Sequence, residues 1–88
     1  MTSLNEILYI LGTNSEPMTT MEIAACTGEK ADKHKLHNRV RTFLTHFSIY
    51  FLRSGEKRPY KFNLSSDGKK KFEKIRYTYD PVAKIVLE

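Results

Sequence analysis

The sequence predicts an α+β domain, mostly helical, with a three-helix core, a β-hairpin and a C-terminal helix. Three observations carry that prediction. Apolar residues recur at helical spacing through the first half, behind two Ser/Thr-x-x-Glu capping signatures. At Ser48 the pattern changes to two short aromatic-rich runs, IYFLR and YKFNL, separated by SGEKRP, which reads as strand, turn, strand. The polar stretch SSDG then opens a second helical pattern, KKKFEKI.

Ser3 marks the expected start of the first helix, since its hydroxyl can accept from the backbone while Glu6, three residues on, reaches back. Leu4, Ile7, Leu8 and Leu11 then form one apolar stripe, and Gly12 is expected to end it. TNSEP reads as a loop in which Pro17 keeps Glu16 extended and lets Met18 enter a very short strand. Thr19 and Glu22 repeat the capping spacing ahead of a helix from about Thr20 to Cys26. Ile23 faces the core there, Ala24 allows a neighbouring helix to come close, and Cys26 reads as a small core residue. Gly28 supplies the exit turn because it takes a positive φ without a Cβ penalty.

A third helix is expected to begin near Ala31 or Asp32. At ~100° per residue, Leu36, Val40, Phe43, Leu44 and Phe47 fall within about 80° of one another, which buries one face. The same arithmetic puts His34, Lys35, Asn38, Arg41, Thr42 and Thr45 on the opposite face, with His37 at its margin and no carboxylate among them. In the hairpin, Tyr60, Phe62 and Leu64 alternate onto one side. Ser65 or Ser66 caps the fourth helix, whose core contacts are Phe72 and Ile75. The ending YTYDPVAKIVLE breaks at Pro81, and VAKIVL is too apolar to be left loose. The organisation expected is therefore a domain over residues 1–79 and an apolar tail over 80–88 that docks on it or on a second subunit.

Eighty-eight residues make one domain near the lower size limit of a single unstapled core, so a large enzyme cleft is not expected, nor a cofactor. The single cysteine rules out an internal disulfide and fits an intracellular setting, in cytoplasm, nucleoid or nucleus. No apolar run approaches the ~20 residues needed to cross a bilayer, and MTSLNEILYI lacks the basic start of a secretory signal. His34 and His37 have i, i+3 spacing. With Cys26 and a distant His46, however, they do not make the four-ligand set of a metal site. Cys26, at a helix C-terminal end, is also poorly placed for nucleophilic chemistry.

The charge distribution is more informative than the net +5. Residues 1–29 carry four Glu and no Lys or Arg, whereas residues 30–76 carry fourteen Lys or Arg against four carboxylates. A field this one-sided favours a polyanionic partner, nucleic acid first and an anionic membrane second. Lys69, Lys70 and Lys71 point in three directions on a helix and read as solvated surface.

TTMEIAACTG is similar to the second helix and turn of a helix-turn-helix. Leu36, Val40 and Phe43 are similar in spacing to the apolar positions of a recognition helix, and YKFNLSSDGKKKFEKI looks like a last wing strand running into a final helix. Together with the order of elements, residues 3–76 resemble the winged helix-turn-helix superfamily of DNA-binding domains. Glu29 replaces the apolar residue that often follows the turn glycine, and Leu36 comes about two residues late, so the turn is longer than usual.

The resemblance implies a third helix in the major groove and a wing on the flanking backbone. Carried onto this chain, the groove-facing residues are His34, Lys35, Asn38 and Arg41, and the wing tip is Glu56, Lys57 and Arg58. Arg41 suits guanine and Asn38 adenine, while Lys30, Lys33, Lys57 and Arg58 suit phosphates. Asp32 and Glu56 weaken the local field. The function implied is a small sequence-specific binder of double-stranded DNA, a transcriptional regulator, with the tail as a candidate homodimer contact. Two other readings stand beside it. One is a protein-interaction module on the same scaffold, favoured by the apolar tail and the Glu residues of the first half if they are exposed. The other is recognition of RNA or an unusual duplex through the same basic face.

Overall fold

In the computed structural model, helix α1 (Leu4–Thr13) begins at Ser3, whose hydroxyl accepts from the Glu6 N–H at 3.3 Å. The structure describes residues 2–14, 16–30 and 32–87. Ser15 of the first loop, the alternative helix start at Ala31 and the final Glu88 lie outside them. The Glu6 side chain does not complete the expected capping box; it is buried and pairs elsewhere. Gly12 does not end the helix either, which runs one residue further to Thr13. Gly12 instead lets the Phe72 ring lie against the helix backbone, where a Cβ would overlap the ring.

Met18–Thr19 form the short strand β1, and helix α2 follows over Thr20–Cys26. Here the capping box is complete: Thr19 Oγ1 accepts from the Glu22 N–H at 3.2 Å, and Glu22 Oε1 accepts from the Thr19 N–H at 2.9 Å. Hydrogen bonds from the Thr19 backbone and hydroxyl hold the Glu22 carboxyl below its ordinary value. A cap of this type contributes about 1 kcal/mol to its helix.

Helix α2 buries Thr20, Ile23 and Ala24, positions i, i+3 and i+4, and its C-cap Thr27 continues the stripe at i+7. Cys26 is off that stripe and exposed, which corrects the expectation that it packs in the core. Gly28 leaves the helix at φ 68°, as its place in the turn requires.

Helix α3 (Lys33–His46) is capped by Asp32, whose carboxylate accepts from the His34 N–H at 2.8 Å. Leu36, Val40 and Leu44 are its buried residues. Phe43 and Phe47 lie at the edge rather than in the core. Their rings stack at 6.1 Å, and Phe47 stacks on Tyr50 at 6.4 Å. The first expected strand is shorter than the run IYFLR, because Ser48–Tyr50 make a single 3₁₀ turn before β2 (Phe51–Ser54) begins.

Strand β3 (Lys61–Leu64) lies between β1 and β2 in an antiparallel sheet of order β1-β3-β2. Phe51 faces Leu64 and Arg53 faces Phe62 across the hairpin. Ser65 caps helix α4 (Ser66–Ile75) by accepting from the Gly68 N–H at 3.1 Å. About half of the chain is helical. The side chains of Ile7, Leu8, Leu11 and Ile23 are fully buried at its centre, where truncation of any one to alanine costs ~2–5 kcal/mol.

The tail is ordered as a second hairpin, β4 (Tyr79–Asp80) with β5 (Ile85–Val86), so residues on both sides of position 79 share one element. It meets the domain through a charge as well as through apolar packing. Lys84, at φ 59°, sends its ammonium inward to the Glu6 carboxylate at 2.9 Å, the Thr27 carbonyl at 2.8 Å and Glu29 at 3.6 Å. Tyr79 is buried, whereas Val82, Ile85 and Leu87 remain exposed.

Candidate nucleic-acid interface

Each turn of α3 leaves polar side chains facing away from the core, because the buried positions Leu36, Val40 and Leu44 recur every fourth residue. Lys33, His34, Lys35, Asn38 and Arg41 are all exposed on this helix. His37 is half-buried at the margin, as its angle on the helical wheel requires. Two threonines of the outer face are turned onto their own helix: Thr42 Oγ1 donates to the Asn38 carbonyl at 2.7 Å and Thr45 Oγ1 to the Arg41 carbonyl at 2.9 Å. Their hydroxyl protons are thereby used. Asn38, Arg41 and His46 supply the free donors around a shallow depression of about 330 Å³ on that face.

The hairpin approaches α3 from one side. Residues of β2 alternate between its faces, so Phe51 and Arg53 share one side with their cross-strand neighbours Leu64 and Phe62. Phe51 and Leu64 are buried at the base, while Arg53 and Tyr60 sit near the open end, the guanidinium 4.4 Å from the centre of the ring. Between this face and α3 lies a cleft of about 710 Å³. Arg41 enters it from the helix, and Arg53 and Arg58 from the hairpin. No carboxylate lines it, and among the described residues none of these three arginines has an acidic partner.

No known protein family, curated protein or solved structure matches this chain. The interface therefore rests on its own geometry.

The structure brings together only part of the set expected from the sequence. Arg41 and Arg58 share the cleft, and Asn38 adjoins Arg41 on the outer face. His34, Lys35 and Lys33 lie on the first turns of α3, beside the exposed Lys30 of the preceding connection. Lys57 is exposed in the hairpin loop and does not line the cleft. Arg53, outside the expected set, lines the cleft together with His37 of the polar-face margin and Tyr60 of the alternating hairpin aromatics. Strand alternation was the available signal for Arg53, since it is two residues from the buried Phe51.

The acidic first half is less exposed than its composition suggests. Glu6 is buried, and Glu29 is largely covered and pairs with Arg39 at 3.4 Å as well as with Lys84. Burial works against ionisation of Glu29, but nearby cations, Lys84 and Arg39 among them, outweigh it and hold its pKa below 4.5. Arg39 is thus engaged away from the cleft. Tyr79 is buried close by, and that burial, with the charge of Glu6, pushes its phenol up to about 12. Among the described residues, no three His, Cys, Asp or Glu side chains gather as a metal site, and no helix is long and apolar enough to cross a membrane.

Proposed function

We propose that the chain is a winged helix-turn-helix protein that binds double-stranded DNA and regulates transcription, with α3 in the major groove and the hairpin on the backbone. The observation that carries this reading is the convergence of Arg41, Arg53 and Arg58 on one carboxylate-free surface between helix and hairpin. Cations held without acidic partners are available to phosphates, and the exposed Asn38 and Arg41 offer the bidentate groups that read base edges. Asp32 is occupied as the α3 cap, which gives its charge a structural use at the edge of the interface.

Binding to duplex DNA is expected to weaken steeply with added salt, because each neutralised phosphate releases counterions. Asn38→Ala and Arg41→Ala should each relax base preference by ~1–3 kcal/mol, whereas Arg58→Ala should weaken all sequences alike and reduce the salt slope by ~1. Fluorescence anisotropy across salt and sequence measures both. Salt-independent binding would overturn the proposal, and an unchanged slope in Arg58→Ala would remove the hairpin from it.

A homodimer through the tail is a second element of the proposal. It is favoured by the outward apolar side chains of the tail hairpin, where Val82 is 91% exposed and Ile85 and Leu87 are exposed beside it in sequence. Light scattering of the full chain should then show a dimer that Val82→Asp converts to monomer; a native monomer would sink this element alone.

A further inference from the structure

Duplex DNA explains the rim of the cleft between α3 and the hairpin but not its floor. A phosphate backbone asks for cations and donors, and the stacked bases of a duplex hide their faces. The buried Leu44 and Phe51 and the half-buried Phe62 make the floor and Pro59 adds to the lining, so the cleft is lined more by carbon than by polar atoms. Its volume of about 710 Å³ is that of a small-molecule site.

We propose that this cleft is a binding site for a single nucleotide unit, with the base against the apolar floor and Arg53, and the phosphate on Arg41 and Arg58. The chemistry has three parts. A planar, weakly polar base gains by leaving water for an apolar slot, and aromatic or guanidinium planes stack on any base. Arg53 is held over the Tyr60 ring at 4.4 Å, so its flat guanidinium is positioned before a ligand arrives. The anionic phosphate of the ligand meets arginines with no carboxylate in the lining to compete. The hydroxyl of Thr20 and the imidazole of His37, on the wall of the cleft, supply further polar contacts for sugar or base.

The site shares Arg41, Arg53 and Arg58 with the duplex reading but does not depend on it. The nucleotide unit has two sources, a free nucleotide acting as an effector or an unpaired nucleotide within a strand, and their recognition chemistry is the same.

The test is an amide chemical-shift titration of the full chain with nucleoside 5′-monophosphates, ribose 5-phosphate and inorganic phosphate. Saturable binding of at least one nucleotide is expected, with shifts centred on Arg53, Tyr60 and Arg41, and about tenfold weaker binding of ribose 5-phosphate, which lacks the base to stack. Arg53→Gln, exposed and so expected to keep the native spectrum, should weaken the nucleotide about tenfold. Equal affinity for nucleotide and ribose 5-phosphate would overturn the proposal, as would shifts confined to the outer face of α3. A short single strand with one abasic position, compared with its intact form, then assigns the source. Preference for the intact strand over the free nucleotide indicates an unpaired base; the reverse indicates an effector. Duplex binding without nucleotide binding would reject this site while leaving the DNA reading in place, and the opposite result would reject only the latter.

Discussion

Gly68→Ala is expected to lower stability by about 3 kcal/mol, enough in a domain of this size to reduce Tm by about 12–24 °C. Gly68 lies in the first turn of α4, where the helix is pressed against the backbone of the 3₁₀ turn, and an added Cβ would overlap the Tyr50 carbonyl oxygen. That oxygen cannot move aside freely, since it accepts from the Ser65 N–H at 2.9 Å. The Ser65 hydroxyl is also fixed, donating to the Ile49 carbonyl at 2.5 Å while accepting from the Gly68 N–H. Alanine's better helix propensity returns ~1 kcal/mol, which the steric conflict exceeds. Thermal and urea unfolding measure the result. A variant as stable as the native chain would mean that α4 does not press on the turn in this way.

Lys84→Met should be the second large effect, about 2–3 kcal/mol. Removing one member of a buried ion pair commonly costs ~3–5 kcal/mol, and the figure is reduced here because the Lys84 side chain is 23% exposed. The loss arises mainly from stranding Glu6, whose side chain is 6% exposed, without its counter-charge. A cycle with Glu6→Gln distinguishes that cause: the double variant should recover a large part of the loss. If it recovers none, Lys84 acts through packing of its stem instead.

The acid response of the two chains should differ as well. The folded pKa of Glu29 is depressed, so its contribution is present above the unfolded pKa and is lost as pH falls through the folded one. Stability of the native chain should therefore fall as pH drops through and below the ordinary carboxylate range, and the fall should be shallower in Lys84→Met, which lacks one of the cations responsible. Parallel urea titrations across that range decide it. Lys84 also holds a backbone angle, φ 59°, that is unfavourable for a side chain with a Cβ. The ion pair offsets that cost.

What was legible in the sequence was local. The capping box of α2 and the exit at Gly28 involve neighbours within a few residues, and the polar face of α3 follows from helix geometry alone. Each is found where the spacing put it. At Ser3 the same capping signature was only half realised, because burial of Glu6 and a lysine far along the chain drew its carboxylate away from the local partner. Cys26 has the residue type of a core position, but its angle on the helix lies off the Thr20, Ile23 and Ala24 stripe and leaves it exposed. Within the candidate site, Arg41 was readable from α3, but its grouping with Arg53 depends on how the hairpin leans across the helix. No spacing within either element encodes that contact.

The Lys84 contacts also impose an order in time. Lys84 follows Thr27 by 57 positions and Glu6 by more, so α1 and α2 leave the ribosome well before their cation is made. Until then the Glu6 carboxylate lacks its counter-charge, and the closed arrangement of α1 is less stable by about the 2–3 kcal/mol assigned to Lys84. A chain interrupted before that lysine should therefore open more often than the complete one, and limited proteolysis of the two should show the shorter cut faster.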